Sequence, residues 1–298
     1  MDGLLVIDKP EGITSHQVVG RVRRILGTKR IGHTGTLDPF ATGVMVLLIG
    51  KATRLAQFLD KDGKSYQATV RFGSETDTGD PTGTVTTASK FTADEIERTL
   101  DSADWGAILR PFRGDILQTP PMYSAKKVEG KKLYELARKG IEIERKAAEV
   151  SIKDIDITPA ERRDERLLNV TCSAGTYIRT LAEDIGRAAG TGAHLTALRR
   201  TRAGRFSIEE AVTLDTLAET ERPQDLILPI EQAVEHLPIF SLPDDRIEKT
   251  RNGMSTRIYS GDVADAGPIR MTASDGELIA IGAFVEAENS IRPKIVLS

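Results

Sequence analysis

The sequence is poor in the residues that build disulfides and metal centres. Its 298 residues include one cysteine, Cys172, and four histidines. A single thiol cannot form an intramolecular disulfide, and such low cysteine usage is typical of a reducing compartment. The histidines are scattered without the spacing of metal ligands, so the sequence predicts no zinc site.

Long apolar segments are also missing. The longest apolar run, Val44 to Ile49, is far shorter than the roughly 18 residues that indicate a membrane span. The first residues, MDGLLVIDKPEG, contain neither a basic segment nor a long apolar one, which predicts no signal peptide. We therefore expect a cytoplasmic protein without a membrane partner.

The charge balance carries no global sign of nucleic-acid binding. There are 41 basic and 44 acidic residues, a net charge of −3. Any binding to RNA or DNA would therefore need local basic clusters. The hydrophobic content of 39% is enough for a sizeable core, and the length predicts one large domain or a large domain with a small one.

Several common catalytic motifs are absent. The stretch GVMVLLIGKAT lacks a P-loop's first glycine and its Ser/Thr, since Met45 and Ala52 occupy those positions. The stretch DTGDPTG has too few carboxylates for an EF-hand loop, and no Gly-x-Ser-x-Gly elbow occurs. Cys172 lies in a predicted strand, which favours a core role over a nucleophilic one. These exclusions leave a carboxylate mechanism.

The stretch RIGHTGTLDPFATGVMVLLIG, residues 30–50, contains one acidic residue, Asp38. Asp-Pro after glycines is typical of a turn. The same position, before a buried strand, would also hold a catalytic side chain rigidly at the edge of a sheet. A carboxylate among apolar residues needs a partner, and a paired arginine would keep it ionised and oriented. The residues alone leave both interpretations open.

Hydrophobic periodicity and capping signals predict an α+β protein. Ser15 is predicted to cap a helix that Gly27 closes, and Thr176 to cap a second helix. Tyr66 to Phe72 alternates between apolar and polar residues, as a half-buried strand does. After about Pro238, short strand-like runs between turns predict a small β-rich unit.

The chain resembles the TruB family of tRNA pseudouridine-55 synthases. The resemblance runs from residue 3 to about residue 213, and six segments carry it in family order. These segments are DKPEGITSHQVV, GHTGTLDPFATGVMVLLIGKAT, KSYQATVRFGSETDTGD, QTPPMYSAKKVEGKKLYELARKG, CSAGTYIRTLAEDIG and HLTALRRTRAGRFSIEEAV.

The resemblance implies a pseudouridine-synthase fold, with a long mixed, mainly antiparallel sheet flanked by helices. It implies a catalytic domain over residues 1–236 with a thumb-like insertion at about 118–145, followed by a PUA-like domain over 237–298. The implied reaction isomerises a uridine in the T-loop of tRNA to pseudouridine. No cofactor or metal is implied, and we expect a monomer.

The resemblance also assigns residues to the reaction. Asp38 matches the nucleophile, which attacks either C1′ of the ribose or C6 of the base. Tyr66 matches a tyrosine that stacks on the target base and is expected to help remove its C5 proton, and Arg179 matches the arginine that pairs with the aspartate. Without the resemblance, Tyr66 would be interpreted as core and Arg179 as a solvated helix arginine.

Further residues are assigned to substrate binding. Tyr177 matches an aromatic residue of the pocket, Leu198 an apolar residue that packs on the base, and His33 a histidine that enters the T-loop. Lys9, in the DKPEG segment, is assigned to the same group. In a regular helix Tyr177 and Arg179 would lie on different faces, so only one of them would face the core.

RNA binding would need base flipping and local phosphate contacts. Three basic clusters, Arg21 to Arg30, Lys126 to Lys132 and Arg199 to Arg205, are predicted to supply those contacts. Two alternatives stay open: a tRNA-binding chaperone without catalysis, and a guide-dependent synthase that acts on ribosomal RNA.

Overall fold

The computed structural model describes residues 1–59, 63–124, 126–128, 130–137, 139–258 and 267–297. The predicted thumb-like insertion and C-terminal domain both fall partly outside these ranges. The strands, in chain order, are β1 Gly3–Lys9, β2 Ile31–Thr34, β3 Thr42–Ile49, β4 Lys64–Phe72, β5 Ser74–Thr76, β6 Val85–Ala88, β7 Gly114–Gln118, β8 Lys127–Val128, β9 Lys131–Lys132, β10 Ala148–Pro159, β11 Glu165–Cys172, β12 Ala193–Ala203, β13 Phe206–Ser207, β14 Ile239–Ser241, β15 Thr256–Arg257, β16 Pro268–Thr272, β17 Leu278–Val285 and β18 Ser290–Val296.

Helices are fewer than strands in the described part of the chain. The α-helices are α1 Ser15–Ile25, α2 Ala56–Leu59, α3 Ala93–Ser102, α4 Trp105–Leu109, α5 Leu133–Ala137, α6 Ile178–Ala188, α7 Leu214–Glu219 and α8 Asp244–Arg251. Single 3₁₀ turns or short 3₁₀ helices occupy Gly50–Leu55, Arg110–Phe112, Ile208–Glu210, Pro223–Leu226, Ile230–Ala233 and Glu286–Glu288.

The described strands form one large mixed sheet, one smaller C-terminal sheet, and two two-stranded sheets, β5–β6 and β8–β9. The large sheet has the order β1-β3-β12-β4-β11-β10-β7, with β2 on β3 and β13 on β12. Its neighbours are antiparallel except for the β3–β12 pair. The smaller sheet has the order β14-β16-β17-β18-β15. The predicted mixed, mainly antiparallel sheet and the strand-rich C-terminal region are confirmed.

Burial explains why the strands of the large sheet differ in sequence pattern. Alternate residues of β1 and β3 point to opposite faces of the sheet. On one face they pack against α1 and α7. On the other they pack against the 3₁₀ helices Gly50–Leu55 and Ile230–Ala233 and against the C-terminal sheet. Both faces are therefore buried, and the strands are largely apolar, with Asp8 and Lys9 at the end of β1 as the charged exceptions. The strand β4 alternates because Tyr66, Ala68, Val70 and Phe72 face a core under α3, α4 and α6, while Gln67 is exposed.

Two predicted helix caps are wrong by one residue. The cap of α1 is Thr14, in a capping box with Gln17, and this leaves the adjacent Ser15 hydroxyl available for a tertiary contact. The cap of α6 is Tyr177, which makes no side-chain cap bond. Thr176 does not cap this helix, because its hydroxyl donates to the Ser173 carbonyl at 3.0 Å. Gly27 follows α1 with a φ of 63°, as predicted.

Gly43 permits the parallel contact between β3 and β12. Its φ is 101°, in a region that side chains rarely adopt. A Cβ there would lie 2.2 Å from the carbonyl oxygen of Arg200, its partner across the pair. The two strands can approach so closely only because residue 43 has no side chain.

Gly43→Ala should therefore destabilise the protein by about 3–5 kcal/mol, through backbone strain and a clash with backbone atoms. Denaturant unfolding measures this free energy. Gly20→Ala is the matched control, because a Cβ at this position in α1 meets no atom within 4 Å and should add roughly 0.5–1 kcal/mol of stability. Equal effects of the two substitutions would contradict the role of Gly43.

Candidate active site

Asp38 lies in the loop between β2 and β3. Hydrogen bonds fix the backbone of this loop on both sides of Asp38. The Ser15 hydroxyl accepts from the Leu37 amide at 2.9 Å and donates to the Leu37 carbonyl at 3.0 Å. The Asp38 carbonyl accepts from the Ala41 amide at 3.1 Å, which closes a turn over Pro39. Asp38 therefore has a defined backbone on a rigid sheet edge, as a catalytic side chain needs.

Lys9 also fixes the backbone of this loop. Its ammonium donates to the carbonyl oxygens of Ala41 at 2.6 Å, Pro39 at 3.1 Å and Pro10 at 2.9 Å. These bonds use all three of its protons, and the residue is 0% exposed. Burial lowers the pKa of Lys9 to about 8, although Asp38 acts in the opposite direction. Lys9 was predicted to bind substrate; its position instead gives it the role of fixing the Asp38 loop.

Arg179 is the centre of the site. Its Nε lies 3.0 Å from Asp38 Oδ2, and its Nη1 lies 3.4 Å from Asp80 Oδ2. The guanidinium also donates to the carbonyl oxygens of Thr78 at 2.7 Å and Tyr123 at 2.6 Å. Arg179 is 4% exposed, so these contacts replace solvent for a buried charge.

The Asp38 carboxyl is less acidic than an ordinary aspartate. Removal from solvent raises its pKa and the Asp80 carboxylate raises it further, while Arg179 and Lys9 lower it without cancelling the rise. The side chain keeps 36% of its surface exposed, toward the cavity. The carboxylate is thus paired and oriented, but poorly hydrated, which favours its use as a nucleophile.

The Asp38 side chain lines a cavity of about 330 Å³, and the same cavity is lined by Tyr66, Tyr177, Arg179 and Leu198. Tyr66 and Leu198 project from neighbouring strands, β4 and β12, onto the same face of the sheet. An aromatic ring and an apolar side chain suit the faces of a planar base. The structure thus brings together five of the seven predicted site residues.

Tyr177 reaches this cavity because it lies outside the regular helix. Its backbone is extended, with φ −98° and ψ 107°, so the helical spacing that would separate it from Arg179 does not apply. The buried Gln118, at the end of β7, fixes it in place. The Gln118 side-chain amide donates to the Tyr177 carbonyl at 3.0 Å and its oxygen accepts from the Tyr177 amide at 2.7 Å.

His33 lies in an adjoining cavity of about 780 Å³, together with His16 and Tyr123. The walls of the two cavities share residues, and these shared residues are Thr36, Leu37, Asp38, Ser124 and Arg179. The two cavities therefore meet at the Asp38–Arg179 pair. The small cavity matches a single base in size, and the larger one leaves space for neighbouring nucleotides.

Sequence reasoning missed Asp80 and Arg200. Asp80 is buried, and its Oδ1 accepts from the hydroxyls of Thr78 at 2.8 Å and Thr82 at 2.5 Å. Asp80 ends the segment KSYQATVRFGSETDTGD, which carries part of the family resemblance, but its pairing with Arg179 is a tertiary contact that no local pattern reveals.

Arg200 corrects one of the predicted phosphate clusters. It is 1% exposed and donates to the carbonyl oxygens of Gly35 at 2.9 Å and Val44 at 2.7 Å. The neighbouring Arg199 pairs with Asp8 at 2.7 Å. In the first cluster Arg21, Arg24, Lys29 and Arg30 are exposed. In the second, the side chains of Lys127, Lys131 and Lys132 lie outside the described residues.

The described residues contain no group of three or more His, Cys, Asp and Glu side chains arranged for a metal ion. None of the described helices is long and apolar enough to cross a membrane. Neither observation bears on the chemistry of Asp38, whose partners are all protein groups.

Comparison with known proteins gives two consecutive family matches. Residues 23–178 match the TruB family pseudouridylate synthase (N terminal domain). Residues 179–235 match the tRNA pseudouridylate synthase B C-terminal domain. The boundary between the two matches falls at the start of α6, so Asp38 and Arg179 belong to different matched regions.

Individual relatives and a solved structure agree with these matches. The tRNA pseudouridine synthase B of Heliobacterium modesticaldum is 43% identical over 97% of this chain and 92% of its own length. That of Solibacter usitatus is 41% identical over the full length of both chains. A chain in the crystal structure of a Cbf5–Nop10–Gar1 complex superposes with a TM-score of 0.73, at 28% identity over 99% of this chain and 85% of that chain. On these matches, and on the site they surround, the chain belongs to the TruB family of pseudouridylate synthases.

Proposed function

We propose that the protein isomerises uridine 55 in the T-loop of tRNA to pseudouridine, with Asp38 as the nucleophile on a flipped-out base. The observation that carries the proposal is the ion pair between Asp38 and the buried Arg179, with Oδ2 3.0 Å from Nε, in a cavity with room for a base. Relatives 41–43% identical over nearly their whole length are named tRNA pseudouridine synthase B, which supports tRNA as the substrate.

The reaction breaks one bond and forms another. The bond between N1 and C1′ breaks after attack by the Asp38 carboxylate, the base turns, and C5 bonds to C1′. The C5 proton is then lost and N1 gains one, so the product is an isomer of the substrate. A carboxylate held by Arg179 remains available for attack and can leave again when the new bond has formed.

Base flipping is required by the position of the nucleophile. Asp38 lies inside a concave cavity, and a base in a folded loop can reach it only by leaving its stack. Tyr66 and Leu198 are placed to pack on the extruded base. Burial raises the pKa of Tyr66, and its ring lines the same cavity as Leu198, where it would stack on the base.

Binding of the rest of the tRNA would use surfaces outside the cavity. The exposed cations at the end of α1 and in the following loop, Arg21, Arg24, Lys29 and Arg30, suit phosphate contacts. Binding through them would weaken steeply with salt, since each phosphate contact releases counterions. We assign the PUA-like role in RNA binding to residues 237–298 as part of the same proposal.

Asp38→Asn should abolish the reaction, because an amide cannot act as the nucleophile. With tRNA carrying tritium at C5 of uridine, we expect tritium release to fall by roughly 10³-fold or more. Asp156→Asn is the matched control, since Asp156 is exposed on β10 and distant from the cavity. Full release with Asp38→Asn, or none with the unmodified protein, would contradict the proposal.

The same assay separates the proposal from its alternatives. A guide-dependent enzyme would release tritium only when a guide RNA and partner proteins are added, whereas we expect release with purified protein and tRNA alone. A chaperone without catalysis would refold tRNA without releasing tritium. The 28% identity to the Cbf5–Nop10–Gar1 chain, against 43% to the Heliobacterium relative, favours action without partners.

The dependence of activity on pH should report the environment of Asp38. Activity requires the ionised carboxyl, so kcat/KM should fall as the pH drops through the pKa of Asp38. Because this pKa is raised above 3.8, the fall should begin at a higher pH than for an ordinary aspartate. Measurements of kcat/KM across a pH series, with circular dichroism to verify the fold, locate this acidic limb of the pH profile.

Asp80→Asn should shift the acidic limb of the kcat/KM profile to lower pH, because the substitution removes a negative charge that raises the pKa of Asp38. It should also lower kcat, by up to about 10²-fold, since Arg179 loses one of its orienting partners. Asp77→Asn, in the same loop, is the control, because the Asp77 carboxylate accepts from the Thr84 amide at 2.8 Å rather than pairing with Arg179. A limb that stays in place or moves to higher pH would contradict the electrostatic coupling.

A further inference from the structure

The Ser124 hydroxyl is a buried polar group without a hydrogen-bond partner among the described residues. The residue is 4% exposed. Leaving such a group unpaired costs about 1–3 kcal/mol, and native structures contain few of them. An uncompensated hydroxyl beside an active site therefore points to a partner that binds there.

Ser124 lies where that partner would have to be the substrate. It lines both the base-sized cavity and the larger cavity, as Asp38 and Arg179 do. The carbonyl of the preceding Tyr123 accepts from Arg179 at 2.6 Å, and the Ser124 carbonyl accepts from the Tyr134 amide at 3.1 Å. The backbone of Ser124 is thus fixed relative to the reacting pair.

The chemistry of the reaction identifies which part of the nucleotide lies at this boundary. The ribose C1′ and the base C6 are both bonded to N1, so the glycosidic bond lies beside Asp38 whichever atom is attacked. The base occupies the small cavity on one side of that bond, and the ribose lies on the other. The ribose 2′-hydroxyl is attached to the carbon next to C1′, and it therefore lies within a few ångströms of the shared wall.

Serine is suited to this partner. A serine hydroxyl both donates and accepts, as does the 2′-hydroxyl, so the two can pair in either direction. Rotation about the Cα–Cβ bond of Ser124 moves Oγ between staggered positions at little cost. Because the residue lines both cavities, the oxygen can turn toward a nucleotide bound across them.

We propose that Ser124 Oγ hydrogen-bonds to the ribose 2′-hydroxyl of the target nucleotide and so favours a ribonucleotide over a deoxyribonucleotide at that position. Ser124 is then a substrate-binding and specificity residue of the reaction. This inference rests on the proposed function, since it takes a flipped uridine as the occupant of the small cavity.

Binding measurements with two RNAs test the proposal. The probes are T-arm stem-loops that differ only in carrying uridine or 2′-deoxyuridine at the target position. Asp38→Asn protein, which should not turn over, is compared with and without Ser124→Ala. We expect Ser124→Ala to weaken binding of the uridine RNA about five-fold, the worth of one neutral hydrogen bond, and to leave binding of the deoxyuridine RNA unchanged.

An equal loss on both RNAs, or no loss on either, would overturn the proposal. Ser290→Ala is the control for a generic serine effect, because Ser290 is as deeply buried but lies in the C-terminal sheet. If neither RNA binds the protein that retains Ser124, the proposed function fails and this inference falls with it. Binding that depends on the 2′-hydroxyl but not on Ser124 overturns this inference alone.

Unfolding of the RNA-free protein gives a second readout. Ser124→Ala removes an unpaired hydroxyl, so it should leave the free energy of unfolding unchanged or raise it. Ser290→Ala removes a hydroxyl that donates to Glu288 at 3.1 Å and should lower it. A clear loss of stability with Ser124→Ala would show that the hydroxyl is already paired within the protein, and the proposal would be wrong.

Discussion

The site depends on one buried cation, the guanidinium of Arg179. A buried charge is costly unless its partners replace the water it has lost. Arg179 finds these partners in three segments that are distant in sequence, at Asp38, at Thr78 and Asp80, and at Tyr123. Removing the guanidinium would leave two carboxylates facing each other in a poorly hydrated cavity. Its charge therefore sets both the geometry of Asp38 and the order of the loops around it.

The second constraint on the site is the set of hydrogen bonds that fixes the backbone of the Asp38 loop. The Asp38 loop leads into β3, which is buried on both faces, and the loop backbone is bonded to Ser15, Lys9 and Arg200. These side chains come from β1, α1 and β12, so the loop is tied to most of the surrounding fold. These contacts together keep the carboxylate in place, and they explain why Lys9 and Arg200 are buried despite their charge.

The sequence predicts local features well where they depend on local patterns. The alternation of β4 and the apolar run of β3 are both present. The caps of α1 and α6 were misplaced by one residue because several hydroxyls compete at each helix start, and tertiary contacts decide which one caps. The Ser15 hydroxyl bonds to Leu37, a contact that no local pattern contains.

The candidate site was predictable only with the family resemblance. From the residues alone, Asp38 could have been an ordinary turn, and Arg179 a solvated arginine. Asp80 and Gln118 escaped even the resemblance-based assignment, because their functions arise from contacts across 99 and 59 positions of sequence. The helical argument against Tyr177 failed for a related reason: it assumed a regular helix where the chain is still extended.

Charge within the cavity bears on how substrate is selected. The carboxylates of Asp38 and Asp80 are offset by Arg179, and Lys9 and Arg200 lie behind the loop. A balanced, poorly hydrated cavity suits a neutral base and gives no electrostatic attraction to a phosphate backbone. Under the proposed function, exposed cations outside the cavity, such as those of α1, would supply the affinity for RNA, and the cavity would discriminate by shape and hydrogen bonds. This division explains how a chain with a net charge of −3 can act on a polyanion.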